Sequence, residues 1–234
     1  MLLGIISDIH GNVFALKECV RHLYAFGLDE VLFLGDAVGY MPGEEGVIAI
    51  LEGLGATCQQ GNHEAMMLDT NDNDLKAEEI YRLKTAKARI GFDRVAWIGN
   101  WPSYREKKVL GRHLLFVHGS PENALEGYRY ADFDWSVYQK SPYDAIFMGH
   151  THRPFIVELD RRLFINVGSV GLPRDQGNLG SFAIYDVNKH QCRILRFTFD
   201  TQAVIGAYGK EMHFSVLECL KRKSANVMGE QLDG

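Results

Sequence analysis

The sequence predicts an α/β protein, an α+β sandwich in which two mixed β-sheets pack face to face and helices flank them. Three observations lead to this prediction. Short apolar runs stop abruptly at polar residues along the first 150 positions, as central strands buried on both faces do. Apolar residues at helical spacing separate several of these runs. Beyond residue 160 the predicted strands follow one another closely, so they are expected to be antiparallel neighbours.

Four of the apolar runs predict the central strands: Leu3–Ile6, Val31–Leu34, Leu114–Val117 and Ala145–Met148. Each run is followed at once by an aspartate or a histidine, either directly or after a single serine or glycine. These polar residues are therefore expected along one edge of the sheet, where open α/β folds bind their ligands.

Two helices are predicted in the first hundred residues. The first begins at Val13, because apolar residues recur from there at 3-4-3 spacing. The second is capped by Asn73 or Asp74 and runs to Ile90. The acidic stretch 69–74 lacks the glycine and the terminal glutamate of a calcium loop, so a solvated loop is expected there.

The last third of the chain predicts three further strands and a closing helix: Phe164–Val167, Phe182–Val187, Ile194–Phe199 and Ser215–Lys223. No repeat of fixed period and no linker composition divides the chain. We therefore expect one domain over residues 1–225 and a flexible C-terminal tail over residues 226–234.

Composition argues against several classes of protein. The chain of 234 residues is 46% hydrophobic and 24% charged, unlike a disordered chain or a coiled coil. Its net charge of −5 argues against a protein that coats nucleic acid. No apolar run reaches the roughly 20 residues of a transmembrane helix, and the four cysteines form no CxxC pair. We expect a cytoplasmic protein with reduced thiols that binds neither membranes nor nucleic acid; the sequence does not set its oligomeric state.

Five polar clusters at the predicted strand ends carry the chemistry. They read Asp8-Ile9-His10, Gly35-Asp36, Gly61-Asn62-His63-Glu64, Val117-His118-Gly119 and Gly149-His150-Thr151-His152. Their carboxylate, imidazole and amide donors suit Mn²⁺, Zn²⁺, Fe or Co. In an extended segment alternate residues point the same way, so both ends of D-x-H or H-x-H can reach one ion. Asp36, alone at its strand end, is the candidate to bridge two cations.

Each cluster alone has a plainer explanation as a strand end, a turn or a histidine satisfied within the core. The pair of histidines in Gly149-His150-Thr151-His152 is the most informative single piece. Five of the nine histidines fall inside these clusters. Chance does not readily assemble that set in one chain.

Taken in order, the segments DIHGN, GDAVGY, GNHE, VHGS and GHTH resemble the signature of the calcineurin-like metallophosphoesterases, which reads D-x-H, G-D, G-N-H-[DE], H and G-H-x-H. The resemblance covers about residues 1–187. The segment NVGSVGLPRD at 166–175 is similar to the small bacterial and archaeal phosphoesterase branch. The resemblance implies the four-layer architecture of that superfamily and the hydrolysis of phosphate esters by a metal-bridging hydroxide.

The resemblance implies a dinuclear metal centre with seven ligands: Asp8, His10 and His152 on one ion, Asn62, His118 and His150 on the other, and Asp36 on both. Manganese is the expected metal, with iron, zinc, cobalt or nickel as alternatives. His63 is not a ligand in the family. It would protonate the leaving oxygen and would be oriented by Glu64. A hydrogen-bonding role for His63 outside the metal centre is the alternative.

The sequence departs from the protein phosphatases of the superfamily after the second motif. They carry G-D-x-V-D-R-G, whereas Gly39 and Tyr40 stand here in place of Asp-Arg. A bidentate arginine clamp for phosphate is therefore missing at that position. We expect hydrolysis of phosphodiesters or of small phosphorylated metabolites. A Ser/Thr-type protein phosphatase, a dinucleoside polyphosphate hydrolase, a nuclease and a non-catalytic metal-binding scaffold are the alternatives.

Three residues are candidates for contact with the substrate. Asn12 opens the first helix beside the first motif, Tyr40 lies in a glycine- and proline-rich loop, and Arg174 could replace the missing arginine. A helix start, a packing tyrosine and a surface arginine are the plainer alternatives. The aromatic segment 121–143 could cap the metal cleft and recognise a nucleoside, but a small satellite core or a subunit contact is slightly favoured.

Overall fold

A computed structural model describes residues 1–69 and 75–232, without the side chains of 75–77. The strands in these ranges are β1 (Leu2–Ile6), β2 (Glu30–Phe33), β3 (Thr57–Cys58), β4 (Tyr104–Val109), β5 (Arg112–Val117), β6 (Ala145–Met148), β7 (Phe155–Leu159), β8 (Arg162–Asn166), β9 (Leu179–Asp186), β10 (Gln191–Thr198) and β11 (Glu230–Gln231). The helices are α1 (Val13–Leu23), α2 (Glu44–Leu54), α3 (Asn62–Leu68), α4 (Leu75–Tyr81), α5 (Leu83–Ile90), α6 (Phe92–Gly99), α7 (Thr201–Tyr208) and α8 (Phe214–Lys221).

The strands form two mixed sheets. The first has the order β11-β10-β9-β1-β2-β3, in which β1, β2 and β3 are parallel and β9 is antiparallel to β1 and β10. The second has the order β4-β5-β6-β8-β7, in which β5, β6 and β8 are parallel and the two edge strands are antiparallel to their neighbours. The predicted sandwich of two mixed sheets flanked by helices is confirmed. The four apolar runs form β1, β2, β5 and β6.

The two sheets bury a shared core between them. Leu3 and Ile5 of β1 lie there in one buried cluster with Phe116 of β5. Ile6, on the opposite face of the same strand, joins Leu16 of α1 in a second cluster that packs helices against the outside of the first sheet. The period of two along a strand therefore divides β1 between two cores. This double burial explains why its sequence is a continuous apolar run.

The second predicted helix is interrupted in the structure. Arg82, between α4 and α5, has a left-handed backbone with φ 60°. Its guanidinium donates hydrogen bonds to Glu211. The carboxylate of Glu78 accepts from the backbone N–H groups of Lys84 and Thr85 at the start of α5. These contacts end one helix and cap the next. The spacing of apolar residues does not predict them.

The predicted helix caps Asn73 and Asp74, with the rest of the predicted loop from residue 70, lie outside the described residues. No helix in the described ranges combines the length and the apolar character needed to cross a bilayer.

The predicted antiparallel pairing of the later strands holds for β9 and β10. It is wrong for β8, which pairs parallel with β6 and takes β7 as its antiparallel neighbour. The sequence did not predict β7. Asp160 and Arg161, both with left-handed backbones, turn the chain tightly from β7 into β8.

The segment from residue 226, predicted as a flexible tail, contacts the first sheet. The carbonyl of Met228 accepts a hydrogen bond from the guanidinium of Arg196. Strand β11 pairs with β10, and the backbone N–H of Leu232 donates to the carbonyl of Arg196. Residues 233 and 234 lie outside the described residues.

Candidate metal centre

The predicted metal ligands converge at one edge of the sandwich. Because β1, β2 and β3 are parallel, and β5 and β6 are parallel, the carboxyl ends of each set lie together. The loops after these five strands supply the seven residues: Asp8 and His10 after β1, Asp36 after β2, Asn62 after β3, His118 after β5, and His150 and His152 after β6. Asn62 is half-buried, and the other six residues are buried.

Asp8, His10 and His152 form the first group of donors, with ligand atoms within 4.8 Å of one another. Oδ1 of Asp8 lies 3.2 Å from Nε2 of His152 and 3.8 Å from Nε2 of His10. The two Nε2 atoms are 3.1 Å apart. This group is the set that the family resemblance assigned to one ion.

Asp36, His118 and His150 form the second group, also within 4.8 Å. Nε2 of His118 lies 3.3 Å from Oδ2 of Asp36 and 3.2 Å from Nδ1 of His150. Oδ1 of Asn62 is 3.1 Å from the same nitrogen. Oδ2 of Asp36 is also 3.6 Å from Nε2 of His10 in the first group. Asp36 therefore lies between the two groups, where a bridging ligand is required.

Backbone carbonyls fix the tautomers of three of the histidines. Their Nδ1 atoms lie near carbonyl oxygens: His10 3.2 Å from Val38, His118 3.1 Å from Leu34, and His152 2.5 Å from Leu172. An Nδ1–H that donates to a carbonyl leaves Nε2 with a lone pair. In their neutral forms the three rings therefore direct acceptors, not donors, into the centre.

Several hydrogen-bond acceptors in this centre face one another with no donor between them. The Nε2 lone pairs of His10 and His152 oppose each other, and Oδ1 of Asp8 is buried with no hydrogen-bond partner among the described residues. Buried acceptors that lack a donor are costly unless a cation satisfies them. Oxygen and imidazole donors without thiolate fit divalent ions such as Mn²⁺ or Zn²⁺. The residues present therefore fit the metal ions that the resemblance implied.

In Asp8 and in Asp36, one carboxylate oxygen accepts a backbone hydrogen bond and the other faces the centre. Oδ2 of Asp8 accepts from the N–H of His150 at 3.0 Å, and Oδ1 of Asp36 accepts from that of His63 at 2.9 Å. Burial raises the pKa of both carboxyls, but nearby histidines outweigh it and hold each pKa below its ordinary value. Burial lowers the pKa of His118, yet the two carboxylates raise it to about 9. The carboxylates thus favour positive charge in this centre.

The loops that carry the donors are strained. Five of the ligands have φ between 51° and 64°: Asp8, His10, Asp36, His150 and His152. Residues other than glycine rarely adopt this left-handed conformation, which costs on the order of 1–3 kcal/mol at each position. The surrounding fold must hold these conformations in place, as it does at many functional sites.

His63 lies beside both donor groups. Its Nε2 is 3.9 Å from Oδ2 of Asp36, and its buried Nδ1 has no hydrogen-bond partner in the described part of the chain. A Cβ at Gly39 would collide with that Nδ1, so a glycine with a left-handed backbone lets the loop close over the ring. Burial lowers the pKa of His63 to about 3, although the charge of Asp36 opposes this.

The structure corrects the expected task of Glu64. Its carboxylate accepts four backbone N–H groups: Asp36 at 2.7 Å, Ala37 at 2.8 Å, Gly61 at 2.8 Å and Val38 at 3.3 Å. These bonds join the start of α3 to the loop after β2. Glu64 therefore positions the backbone of Asp36 and does not orient the imidazole of His63, because its oxygens are used by main-chain donors.

Asn12 is held within the fold. Its Oδ1 caps α1 by accepting from the N–H of Ala15 at 3.1 Å, and its Nδ2 donates to the carbonyl of Gly171 at 2.8 Å. The side chain is fully buried. Both ends of the amide serve as a structural link between two loops, which agrees with the plainer alternative of a helix start.

Tyr40 and Arg174 lie at the mouth of the centre. The ring centroid of Tyr40 is 4.7 Å from that of His10 and 4.9 Å from that of His63. Burial raises the pKa of the Tyr40 hydroxyl, and the nearby charge of Arg174 opposes this. Burial lowers the pKa of the Arg174 guanidinium, but the charges of Tyr40 and Asp8 outweigh this and raise it. Both candidates are therefore brought to the site, and both are half-buried.

Two further tyrosines, which were not among the predicted site residues, line the site. Tyr81, at the end of α4, has its ring centroid 5.0 Å from that of His63. Tyr128 has its centroid 4.1 Å from that of His150. Tyr81 belongs to no motif, so no signal in the sequence marked it. Tyr128 belongs to the aromatic segment, for which a cap over the metal cleft was one of the roles considered.

One part of the aromatic segment 121–143 forms a small satellite core, and another part lies against the metal centre. Trp135 is buried against Phe155 and Phe164 and covers the outer face of the second sheet. This part is the satellite core that the sequence slightly favoured. Tyr128, in the same segment, reaches the metal centre instead.

Comparison with known proteins places this geometry in a family. A model of the calcineurin-like phosphoesterase superfamily domain matches residues 1–190. The uncharacterized protein MJ0912 of Methanocaldococcus jannaschii is 28% identical over 217 residues, which cover 85% of this chain and 88% of that protein. A metallophosphoesterase structure from Sphaerobacter thermophilus has a TM-score of 0.77 at 24% identity, and protein PH1004 from Pyrococcus horikoshii OT3 has 0.81 at 18%. Each match covers 94% of this chain and 98% of the other, and at these identities shows a shared fold. With four fifths of its length matched by the superfamily's domain, the chain belongs to the calcineurin-like phosphoesterase superfamily.

Proposed function

We propose that the protein is a phosphoesterase that depends on two divalent metal ions, manganese foremost, and hydrolyses phosphodiesters or small phosphorylated metabolites. One observation carries the proposal: two groups of buried oxygen and nitrogen acceptors share the carboxylate of Asp36. Asp8, His10 and His152 would hold one ion. Asn62, His118 and His150 would hold the other.

The bound ions would supply an activated water at neutral pH and neutralise charge on the phosphate oxygens. The protein contributes rigid placement, because three imidazoles and both carboxylates are fixed by backbone groups. Donors held in advance need no reorganisation as charge develops in the transition state. The bonds of Glu64 to the loop after β2 add to that placement.

His63 is the group best placed to pass a proton to the leaving oxygen. Its ring nitrogen lies with the ligand atoms of His10 and Asp36, one from each donor group, and each group has its proposed ligands without it. Burial disfavours its charged form, but a phosphate anion bound beside it would favour that form, because opposite charges stabilise each other. The contribution expected of such a proton donor is about 10²- to 10⁴-fold in rate.

Arg174 is the proposed contact for the phosphate. Its backbone N–H donates to the carbonyl of His152 at 3.2 Å, which places the residue beside the proposed ligands. The loop with Gly39 and Tyr40 lacks the arginine with which the protein phosphatases of the superfamily grip a phosphomonoester. Without that bidentate clamp, we favour diesters as substrates.

The test compares two chromogenic substrates. Metal-stripped protein is assayed with bis-p-nitrophenyl phosphate and with p-nitrophenyl phosphate, before and after Mn²⁺ is restored. We expect Mn²⁺-dependent hydrolysis of the diester. Hydrolysis of the monoester alone would favour a phosphatase. No hydrolysis of either substrate, with two ions bound, would favour the metal-binding scaffold.

A further inference from the structure

The described part of the protein carries a groove of about 540 Å³. It is lined by two short segments, Tyr130–Asp132 and Arg153–Phe155. Arg153 directly follows the predicted ligand His152. The groove is therefore continuous in the chain with the loop that would hold one of the metal ions.

Tyr128 connects the other wall of the groove to the centre. Its ring lies against that of His150, with centroids 4.1 Å apart. The guanidinium of Arg174 donates a hydrogen bond to the Tyr128 hydroxyl, and the backbone N–H of Arg174 donates to the carbonyl of His152 at 3.2 Å. A line of side chains thus runs from the place of the phosphate to the groove.

The rings of Tyr128 and Tyr130 form a nearly parallel pair. Their planes are 19° apart, and their centroids are separated by 6.4 Å. The two tyrosines are 47% and 43% exposed, which leaves ring surface accessible. The exposed surface of the pair offers an aromatic platform on which a planar ring could stack.

The groove also carries uncommitted polar groups. Within the described chain, the side chains of Asp132 and Arg153 make no hydrogen bond or ion pair, and both are exposed. The hydroxyl of Tyr130 is likewise without a partner there, whereas those of Tyr138 and Tyr143 donate to glutamates. A carboxylate and a guanidinium offer an acceptor and donors, the groups that recognise the edge of a nucleobase.

We propose that this groove is a nucleoside subsite, in which Tyr128 and Tyr130 stack on the nucleobase of a nucleotide phosphoester. Asp132 and Arg153 face the edge of the base, and the phosphate lies at the metal centre beside Arg174. The inference rests on the proposed function and names its substrate class. Stacking suits this role because every base presents an aromatic face.

Binding of AMP and of ribose 5-phosphate to Mn²⁺-loaded protein, measured by isothermal titration calorimetry, tests the proposal without needing turnover. Wild-type protein is expected to bind AMP more tightly than ribose 5-phosphate. Tyr130→Ala should weaken AMP about 5- to 150-fold, the range of one base–aromatic stack, and leave ribose 5-phosphate unchanged. Tyr130→Phe should retain AMP affinity, because it keeps the ring. Tyr24→Ala, at a tyrosine that is 75% exposed and belongs to a different part of the chain, is the matched control.

Equal affinities for AMP and ribose 5-phosphate would overturn the subsite. So would equal losses for both ligands in Tyr130→Ala, or a loss in Tyr130→Phe as large as in Tyr130→Ala. Self-association that disappears in Tyr130→Ala, with AMP affinity unchanged, would assign the tyrosines to a protein contact and also overturn it. Ring-dependent AMP binding in a protein that hydrolyses neither chromogenic ester would support the subsite and count against the proposed function, so the two failures are distinguishable.

Discussion

The metal centre and its rim are built in opposite ways. In the centre, six of the seven donors are buried, and backbone groups hold three imidazoles and both carboxylates in place. At the rim, Tyr128 and Tyr130 are about half exposed, and Tyr40 and Arg174 are half-buried. The proposed chemistry and the proposed selectivity would therefore have separate structural supports. The centre permits one arrangement, whereas the rim can change with little cost to the fold.

Asp36→Asn is the largest perturbation of the centre. In the proposed function Asp36 bridges two cations; Asn lacks the negative charge for that role, so both donor groups would lose their common ligand. We expect diester hydrolysis to fall by about 10³-fold or more and bound Mn²⁺ to fall below the wild-type content. Activity assays and metal analysis of the same samples check this. Asp93→Asn, at an exposed aspartate, should match wild type; an active Asp36→Asn variant with full metal content would break the contrast between centre and rim.

His63→Ala separates proton transfer from metal binding. His63 also lies within ligand distance of His10 and Asp36, but it is not one of the seven proposed ligands, so bound Mn²⁺ should stay near the wild-type level. The turnover number should fall by about 10²- to 10⁴-fold. His113→Ala, at a histidine outside the five clusters, is the control for removing an imidazole. Loss of metal in His63→Ala would contradict its assignment as proton donor.

Arg174→Ala moves the test to the rim. Removing one charged hydrogen-bonding group should raise KM for the diester by about 10- to 100-fold, with a smaller change in kcat. The backbone around Arg174 is held independently, because the neighbouring Asp175 pairs with the buried Arg196 at 2.7 Å. Steady-state kinetics separates KM from kcat, and Arg94→Ala, which breaks a surface ion pair, is the matched control. An unchanged KM would remove Arg174 from the phosphate site.

Asn12→Ala should have the smallest effect, and on stability. Loss of the helix cap typically costs about 1 kcal/mol, and the carbonyl of Gly171 loses its buried donor as well. We expect the free energy of unfolding to fall by about 1–3 kcal/mol in urea denaturation. Asn12→Ser retains a cap but cannot reach Gly171, so its free energy of unfolding should lie between those of the wild type and Asn12→Ala. A rise in KM as large as that of Arg174→Ala would restore Asn12 as a substrate contact.

The sequence predicted that the proposed ligands would lie together, because most of them follow continuous apolar runs. A strand that is buried on both faces ends before the first charged or polar side chain. Asp8, Asp36 and His118 could therefore be assigned to strand ends from the sequence. Parallel strands then bring those ends together. Short motifs contain this information within a few residues.

The sequence did not predict the contacts that join distant segments. Glu64 accepts N–H groups from a loop 26 to 28 residues away, and no local pattern states which donors a buried carboxylate will meet. Tyr81 reaches His63 from the end of a helix whose break at Arg82 depends on Glu211. Such pairings follow from the folded topology, not from the spacing of residues.

The number of Mn²⁺ ions bound per chain tests the central claim most directly. Metal-stripped protein is titrated with Mn²⁺ in equilibrium dialysis while diester hydrolysis is followed on the same samples. The shared carboxylate of Asp36 predicts two ions per chain at saturation, with full activity reached only when the second ion binds. Saturation at one ion, or full hydrolysis in protein that a chelator keeps free of metal, would contradict the account.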